Sequence, residues 1–165
     1  MLLDYAHLLP PNGMALDAAA GVGTSSRFLA ERGLHVIALD ISLVALRLAK
    51  QRAGSGSLPL EAVVYNLSNP WFPAETFDVI LNFHFLERAT FPIYRQALKP
   101  GGLLFFETFQ KAEQDLLIPA YYLEPGELLA AFQDFEIIYW GENVLPATET
   151  HPPRAMAQLV ARKQT

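Results

Sequence analysis

The stretch "MALDAAAGVGTSSRFLAERGLHVIALD", residues 14–40, decides the fold of this chain. An apolar run ends at Ala19, a turn with Gly21 and Gly23 follows, and after a helix-length segment a second apolar run ends in Asp40. Glycines between a parallel strand and a helix let backbone N–H groups and the helix N-terminus approach a polar or anionic ligand, because no Cβ blocks the way. We therefore expect a strand–helix–strand unit whose ligand crevice lies at the carboxyl ends of the strands.

The rest of the chain continues this alternation of strand-length apolar runs and amphipathic helical segments, which is typical of a sheet covered on both faces. The pattern predicts strands at residues 14–19, 34–40, 60–66, 77–83 and 103–109, and helices at 24–32, 43–53, just before 97–102, and at 125–132, with Pro125 in the first turn of the last. Two further apolar runs, 135–144 and 154–163, have no helix between them, so they are expected to pair antiparallel. The prediction is an α/β fold: one domain over residues 1–165, with a doubly wound, Rossmann-like, seven-stranded sheet that is mostly parallel and has an antiparallel strand pair near its C-terminal edge.

Composition narrows the class of protein. The 165 residues suit one domain with a sizeable core, and 52% of them are hydrophobic. No apolar run reaches the roughly 20 residues of a membrane helix, and no basic, cleavable leader is recognisable at the N-terminus. The absence of cysteine excludes disulfides and thiolate metal sites, and the net charge of −5 disfavours nucleic acid. Because the chain lacks cysteine, we expect a cytoplasmic protein. The histidines have no metal-like spacing, so we expect no metal site.

The nature of the ligand follows from two acids. Asp40 lies 40 − 21 = 19 positions after Gly21, the spacing at which a carboxylate accepts the hydroxyls of a ribose. A dinucleotide fingerprint needs a third glycine, but Ser26 stands at that position. Asp17, inside the first strand, needs a partner because an unpaired buried charge is costly, and an ammonium group on the ligand would supply it. A ribose together with an α-amino acid describes S-adenosylmethionine.

Four segments resemble class I S-adenosylmethionine-dependent methyltransferases, in particular the tellurite-resistance-like branch of small methyltransferases. They are "ALDAAAGVGTSSRFLAERGLHVIALDIS", "FPAETFDVILNFHFLER", "ALKPGGLLFFETF" and "LEPGELLAAF". The resemblance implies a set of contact residues for each part of the cofactor: Asp17, Ala19, Gly21 and Gly23 for the methionine moiety, Asp40 for the ribose, Ile41, Asn66 and Leu67 for the adenine, and Asn82 for the sulfonium. The adenine position is commonly Asp in this family, and the amide oxygen of Asn66 can still accept a hydrogen bond there.

Candidates for the chemistry follow the fourth and fifth strands, where the crevice of such a sheet opens. His84 is a candidate base, Arg88 a candidate for gripping an anionic substrate, and Glu107 a candidate for orienting an amine or hydroxyl. Tyr121 and Tyr122 occupy the loop in which the family places substrate contacts. Each of these residues has a purely structural alternative, such as core packing or a surface position.

Three functions remain open at this point. The leading hypothesis is methyl transfer to a small-molecule acceptor, where positioning alone supplies much of the rate. The second is a non-catalytic cofactor-binding or regulatory subunit, and the third is a nicotinamide-dependent oxidoreductase. Only about thirteen residues precede the first strand, so we expect a site that is open, or one covered by a second copy in a homodimer or by a partner subunit.

Overall fold

The computed structural model describes residues 1–54, 58–111, 121–146 and 154–165. Its strands are β1 (Gly13–Ala18), β2 (Leu34–Asp40), β3 (Leu60–Val64), β4 (Phe77–Phe83), β5 (Leu98–Phe109), β6 (Glu136–Leu145) and β7 (Arg154–Arg162). Its α-helices are α1 (Thr24–Ala30), α2 (Leu43–Ala53), α3 (Thr90–Ala97) and α4 (Glu127–Ala131), and a short 3-10 helix covers Ala6–Leu8.

The seven strands of the described chain form one sheet in the order β3-β2-β1-β4-β5-β7-β6. Strands β1 to β5 run parallel to one another, and β7 runs antiparallel to both β5 and β6. The predicted mostly parallel sheet with an antiparallel pair near its C-terminal edge is confirmed. The chain moves outward from β1 in one direction and then restarts at β4 in the other, so the carboxyl ends of β1 and β4 flank a crevice at the switch point of the topology.

Alternating side chains of the central strands feed two separate hydrophobic cores. Leu16 of β1 belongs to the core under α3 and α4, where Tyr94 and Phe132 are fully buried. Ala15, its neighbour, belongs to the core under α1 and α2, where Leu29 is fully buried. Both faces of the sheet are therefore covered, which explains why these strands read as continuous apolar runs in the sequence.

Several predicted boundaries were wrong by a few residues. Helix α1 ends at Ala30 rather than residue 32, and β3 ends at Val64 rather than residue 66. Strand β5 begins at Leu98, because that buried residue already pairs with Phe77 before the two glycines. Helix α4 begins at Glu127, so Pro125 precedes the helix instead of lying in its first turn.

The first residues of the chain lie against the α1–α2 side of the sheet. Met1, Leu2 and Leu8 pack on that core, and the ring of Tyr5 lies 5.6 Å from the ring of Tyr139. Within the described ranges, no helix is long and apolar enough to cross a bilayer. Nor do three or more His, Asp or Glu side chains come together there in a way that could hold a metal ion.

Candidate functional site

A cavity of about 490 Å³ opens where β1 and β4 end, and we call it the glycine-loop cavity. Its walls come from β1 and the loop that follows it, the start of α1, the tip of β2, and the end of β4 with the two residues after it. The lining residues are Asp17, Ala19, Ala20, Gly21, Val22, Thr24, Ser25, Asp40, Phe83, His84 and Phe85. This is the crevice that the topology predicts. It brings together the methionine- and ribose-side residues inferred from the sequence, apart from Gly23, which does not line it.

Asp40 ties the tip of β2 to the glycine loop. One carboxylate oxygen, Oδ2, accepts the backbone N–H of Gly21 at 2.8 Å, and the other, Oδ1, accepts the N–H of Ser42 at 2.8 Å. A carboxylate has about four lone-pair positions, so two such bonds leave acceptor capacity facing the cavity. Asp40 thus both shapes the loop and presents oxygens suited to a pair of hydroxyl groups.

The two glycines of the loop have different roles, although both have left-handed backbone angles. Gly21 has φ +54°, and a Cβ added there meets nothing within 4 Å. Gly23 has φ +74°, and its Cβ would lie 2.5 Å from the Cβ of Ala49 in α2. The space at Gly21 belongs to the cavity, whereas the close approach at Gly23 lets α1 and α2 pack together.

Alanine substitutions should separate these roles. Gly21→Ala is expected to cost about 1 kcal/mol of stability from its positive φ, while weakening nucleoside binding at least about tenfold because its methyl group occupies ligand space. Gly23→Ala adds a steric clash to the same strain and should destabilise the fold by roughly 3 kcal/mol or more. Chemical denaturation and calorimetric titration of both variants measure the two effects. A Gly21→Ala protein that binds as well as the wild type would contradict the assignment.

Asp17 is buried beneath the glycine loop, with 2% of its surface exposed. Its Oδ2 accepts the hydroxyl of Ser26 in α1 at 2.5 Å. Burial raises the pKa of Asp17 to about 6, and the Ser26 hydrogen bond counteracts part of that rise. Ser26 occupies the position of the missing third glycine, and the structure gives that departure a purpose: its side chain is the partner of the strand acid.

Replacing Asp17 by Asn should stabilise the protein and impair ligand binding. The pKa is raised on folding, so the ionised form is disfavoured in the folded protein, and stability falls as pH rises from about 4 to about 6. Above pH 7 the ionised Asp17 lowers the stability of the fold by at most about 3 kcal/mol, at about 1.36 kcal/mol per unit of pKa. We expect Asp17→Asn to raise Tm at pH 7.5 by roughly 5 °C but not near pH 4.

The same variant should bind an ammonium-bearing ligand about 10- to 100-fold more weakly, since a charge-assisted hydrogen bond is lost. Titration calorimetry and a thermal melt at the two pH values provide the measurement. Equal melting temperatures for the variant and the wild type at pH 7.5 would show that Asp17 carries no burial cost.

The residues expected around an adenine are not among those that line the glycine-loop cavity. Ile41 is 70% exposed directly after Asp40, and Asn66 is exposed with its Oδ1 accepting the N–H of Ser68 at 3.0 Å. Leu67 is buried in the α3–α4 core. These three residues stay a prediction for the adenine subsite.

Asn82, expected under the sulfonium, has a different environment. Its side chain is fully buried and is not among those that line the cavity. Its Nδ2 donates to the carbonyl of Phe85 at 2.7 Å, and its Oδ1 accepts the hydroxyl of Tyr94 at 3.0 Å. Asn82 therefore braces the turn that follows β4.

That turn holds His84 in a left-handed backbone conformation, with φ +57°. Such an angle is uncommon for a residue with a Cβ and persists only where the surroundings fix it. The fixing contacts are the Asn82 bond to Phe85 and a 2.7 Å hydrogen bond from the N–H of His84 to the carbonyl of Glu107. The result is a half-exposed imidazole held at the edge of the glycine-loop cavity.

The imidazole of His84 pairs with the carboxylate of Glu107 in the neighbouring strand. Nε2 of His84 lies 3.1 Å from Oε1 of Glu107, and Gln158 of β7 donates to Oε2 of the same carboxylate at 2.5 Å. These bonds lower the pKa of Glu107, the His84 bond most of all, against the opposing effect of burial. An ionised Glu107 accepts the Nε2 proton of a neutral imidazole and leaves Nδ1 as an acceptor.

A second cavity of about 430 Å³ adjoins the same turn, and we call it the tyrosine cavity. Its lining residues are His84, Phe85, Leu86, Thr108, Phe109, Tyr121 and Tyr122. His84 and Phe85 line both cavities, so the left-handed turn forms their common wall. The turn that bears His84 therefore borders two cavities, the glycine-loop cavity and a second cavity lined mostly by aromatic rings.

A sequence profile described as a methyltransferase domain matches residues 15–102, more than half of the chain. The chain belongs to this family. It is 38% identical to a demethylmenaquinone methyltransferase of Thermobifida fusca over 99 residues, which are 55% of this chain and 41% of that protein. The chain spans between 22% and 41% of the length of the first curated relatives that it matches.

Solved structures agree on the fold. TehB of Haemophilus influenzae superposes with a TM-score of 0.85 at 19% identity, over 99% of this chain and 61% of that one. An S-adenosylmethionine-dependent methyltransferase of Methanosarcina mazei superposes with a TM-score of 0.77 at 23% identity, over 98% and 97% of the two chains. Together with the family match, they support a class I methyltransferase fold with S-adenosylmethionine as the cofactor.

Arg88 of this methyltransferase domain is held within the protein. Its guanidinium donates to both carboxylate oxygens of Glu127, at 2.5 and 2.8 Å, and to the carbonyl of Tyr122 at 3.0 Å. The pKa of Glu127 is lowered, chiefly by its hydrogen bond from Arg88. In this structure Arg88 ties the start of α4 to the tyrosine cavity and does not line it, so its predicted contact with substrate stays a prediction.

Sequence reasoning missed four residues of the site. Phe85 and Thr108 line cavities without belonging to any polar motif, and Ser26 and Gln158 act through the two acids that they contact. Ser26 follows Asp17 by nine residues across a strand–loop–helix junction, and this spacing could have identified their contact. No local pattern joins Gln158 to Glu107, because they lie 51 residues apart on neighbouring antiparallel strands.

Proposed function

We propose that this domain transfers a methyl group from S-adenosylmethionine to a small-molecule acceptor. The observation that carries the proposal is that the two cavities adjoin: His84 and Phe85 line both a cavity that suits the cofactor and an aromatic cavity that suits an acceptor. In-line transfer needs donor and acceptor on opposite sides of the reacting carbon, and two cavities that meet at one turn supply such an arrangement.

The lining residues of the glycine-loop cavity fit the cofactor. Asp40 offers acceptor oxygens for the ribose hydroxyls, and Asp17 offers a buried carboxylate for the ammonium group. The open space at Gly21 admits the ligand close to the backbone. When bound, the cofactor supplies an activated methyl group and its own leaving group, so the protein has to bind, orient and exclude water.

His84 is proposed to take the proton of the acceptor. With Nε2 bonded to the ionised Glu107, Nδ1 is the nitrogen available to accept a proton, and the carboxylate stabilises the imidazolium that results. The backbone fixation at φ +57° holds His84 at a position that borders both cavities, without further reorganisation. Glu107 acts as the positioning residue in this assignment.

Ligand-dependent melting and methyl transfer test the proposal together. At 100 times Kd, a ligand stabilises by about 2.7 kcal/mol, which corresponds to roughly 5–10 °C in a protein of this size. We expect that shift with S-adenosylhomocysteine and none with NADH. A shift with NADH alone would favour the oxidoreductase. A shift with S-adenosylhomocysteine, but no label transferred from methyl-labelled S-adenosylmethionine to thiols, phenols, amines or oxyanions, would favour a non-catalytic subunit.

Whether a second copy or a partner subunit covers the site stays a prediction. Sedimentation equilibrium with and without S-adenosylhomocysteine measures it directly. A monomer that transfers methyl groups would remove the need for such a cover.

A further inference from the structure

We infer that the tyrosine cavity takes an uncharged acceptor with an aromatic or apolar body and a single ionisable hydroxyl or thiol group. The inference rests on the proposed methyl transfer and assigns the class of its acceptor. Three features of the cavity carry it: the rings that line it, the engagement of the nearby cations elsewhere, and one buried hydroxyl without a partner.

The lining of the tyrosine cavity is predominantly apolar. Phe85, Leu86 and Phe109 contribute hydrocarbon surface, and Tyr121 and Tyr122 add two further rings. The volume of about 430 Å³ falls within the range of small-molecule pockets. Such walls favour a ring or a short apolar chain, because the hydrophobic gain scales with the apolar area removed from water.

No cation of the protein lines this cavity. All twelve Lys and Arg residues of the sequence fall within the described ranges, and none is among the lining residues. The nearest candidates are engaged: Arg88 is bonded bidentately to Glu127, and the guanidinium of Arg154 lies 5.5 Å from the ring centre of Phe109. An oxyanion would therefore meet aromatic walls and, beside His84, the ionised Glu107, which makes an anionic acceptor unfavourable.

Thr108 supplies the polar contact. It lines the cavity, it is 1% exposed, and its Oγ1 has no hydrogen-bond partner among the described residues. A buried hydroxyl without a partner is costly, and such groups are rare in folded proteins. A polar atom of a bound acceptor is the partner that this position offers. Together with the phenol groups of Tyr121 and Tyr122, Thr108 and His84 are the few polar groups of a mostly apolar pocket, which matches an acceptor with a single polar end.

The chemistry then balances with no further reactant. As a bond forms between the acceptor oxygen or sulfur and the methyl carbon, the bond between that carbon and the donor sulfur breaks. The proton of the acceptor hydroxyl or thiol passes to Nδ1 of His84 and from there to solvent. The products are the methylated acceptor, S-adenosylhomocysteine and one proton.

A matched pair of phenols tests the inference. Protein saturated with S-adenosylhomocysteine is titrated with methyl 4-hydroxybenzoate, which is uncharged, and with 4-hydroxybenzoate, which carries a carboxylate. We expect the ester to bind at least tenfold more tightly. Equal or tighter binding of the carboxylate, or no binding of either phenol to the saturated protein, would overturn the inference and leave the proposed function intact. Failure of S-adenosylhomocysteine itself to bind would instead overturn the proposed function.

Thr108→Val provides the second arm, since valine keeps the shape and removes only the hydroxyl. We expect the variant to melt at or above the wild-type temperature, to bind S-adenosylhomocysteine unchanged and to bind the ester about fivefold more weakly. Thr76→Val, at a hydroxyl that donates to the Ala74 carbonyl outside both cavities, is the matched control and should leave both affinities unchanged. Wild-type affinity of Thr108→Val for the ester would remove Thr108 from the site.

Discussion

Asp40→Ala is expected to lower the affinity for S-adenosylhomocysteine by at least about 100-fold, because each hydrogen bond to a charged group contributes roughly 1.5–3 kcal/mol. The loss has two sources in the structure. The variant removes the acceptors proposed for the ribose hydroxyls, and it frees the N–H of Gly21, which the Asp40 carboxylate holds at 2.8 Å. Titration calorimetry of the purified variant measures the affinity, and a thermal melt reports the fold.

Two further variants separate those sources. Asp40→Asn keeps one acceptor oxygen for the loop and should lose less affinity than Asp40→Ala. Asp134→Ala removes a carboxylate of the same type that pairs with Arg95 on the surface, and it should leave the affinity unchanged. A folded Asp40→Ala protein with wild-type affinity would show that the carboxylate does not face the ribose.

His84→Gln is expected to lower kcat by about 100- to 10,000-fold with an acceptor that must lose a proton, the range observed when a general base is removed. Glu107→Gln should cause a smaller loss of the same kind, since an amide cannot stabilise the imidazolium. Because neither residue is assigned to the ribose or the ammonium group, the affinity for S-adenosylhomocysteine should change little. Steady-state methyl transfer across a pH series measures both variants, and the pH profile should change shape as well as height.

The chain contains a matched control for the pair of His84 and Glu107. His35 and Glu61 form an exposed pair at 2.9 Å near the starts of β2 and β3, at the opposite end of β2 from Asp40, and neither residue lines either cavity. His35→Gln should leave kcat unchanged. Wild-type turnover by His84→Gln with a phenol or thiol would mean that positioning alone drives the transfer.

The sequence was sufficient for the framework of the site because its signals are local. The glycine loop, Asp17 and Asp40 lie within one strand–helix–strand unit, whose geometry is common to parallel sheets. Their positions at the carboxyl ends of β1 and β2 follow from that unit alone. The antiparallel end of the sheet was also predictable, since two strands without a helix between them leave few alternatives.

The contacts made by the candidate catalytic and binding side chains could not be predicted in the same way, because they join residues that are distant in the chain. His84 and Glu107 were separate candidates, and only the parallel pairing of β4 with β5 makes them partners. Arg88 was a candidate for gripping an anionic substrate, and nothing in the sequence indicated that Glu127, 39 residues away, engages its guanidinium bidentately. Asn82 was expected under the sulfonium, and its contacts with Tyr94 and with the carbonyl of Phe85 could not be predicted from the sequence.

The measurement that tests the central claim most directly is a calorimetric titration of the wild-type protein with S-adenosylhomocysteine at pH 7.5. The two acids and the open glycine loop predict one site per chain, with a dissociation constant in the micromolar range. Heat of binding at that stoichiometry, with a weaker affinity for Gly21→Ala and a much weaker one for Asp40→Ala, agrees with the account. A folded wild-type protein that gives no heat of binding contradicts it.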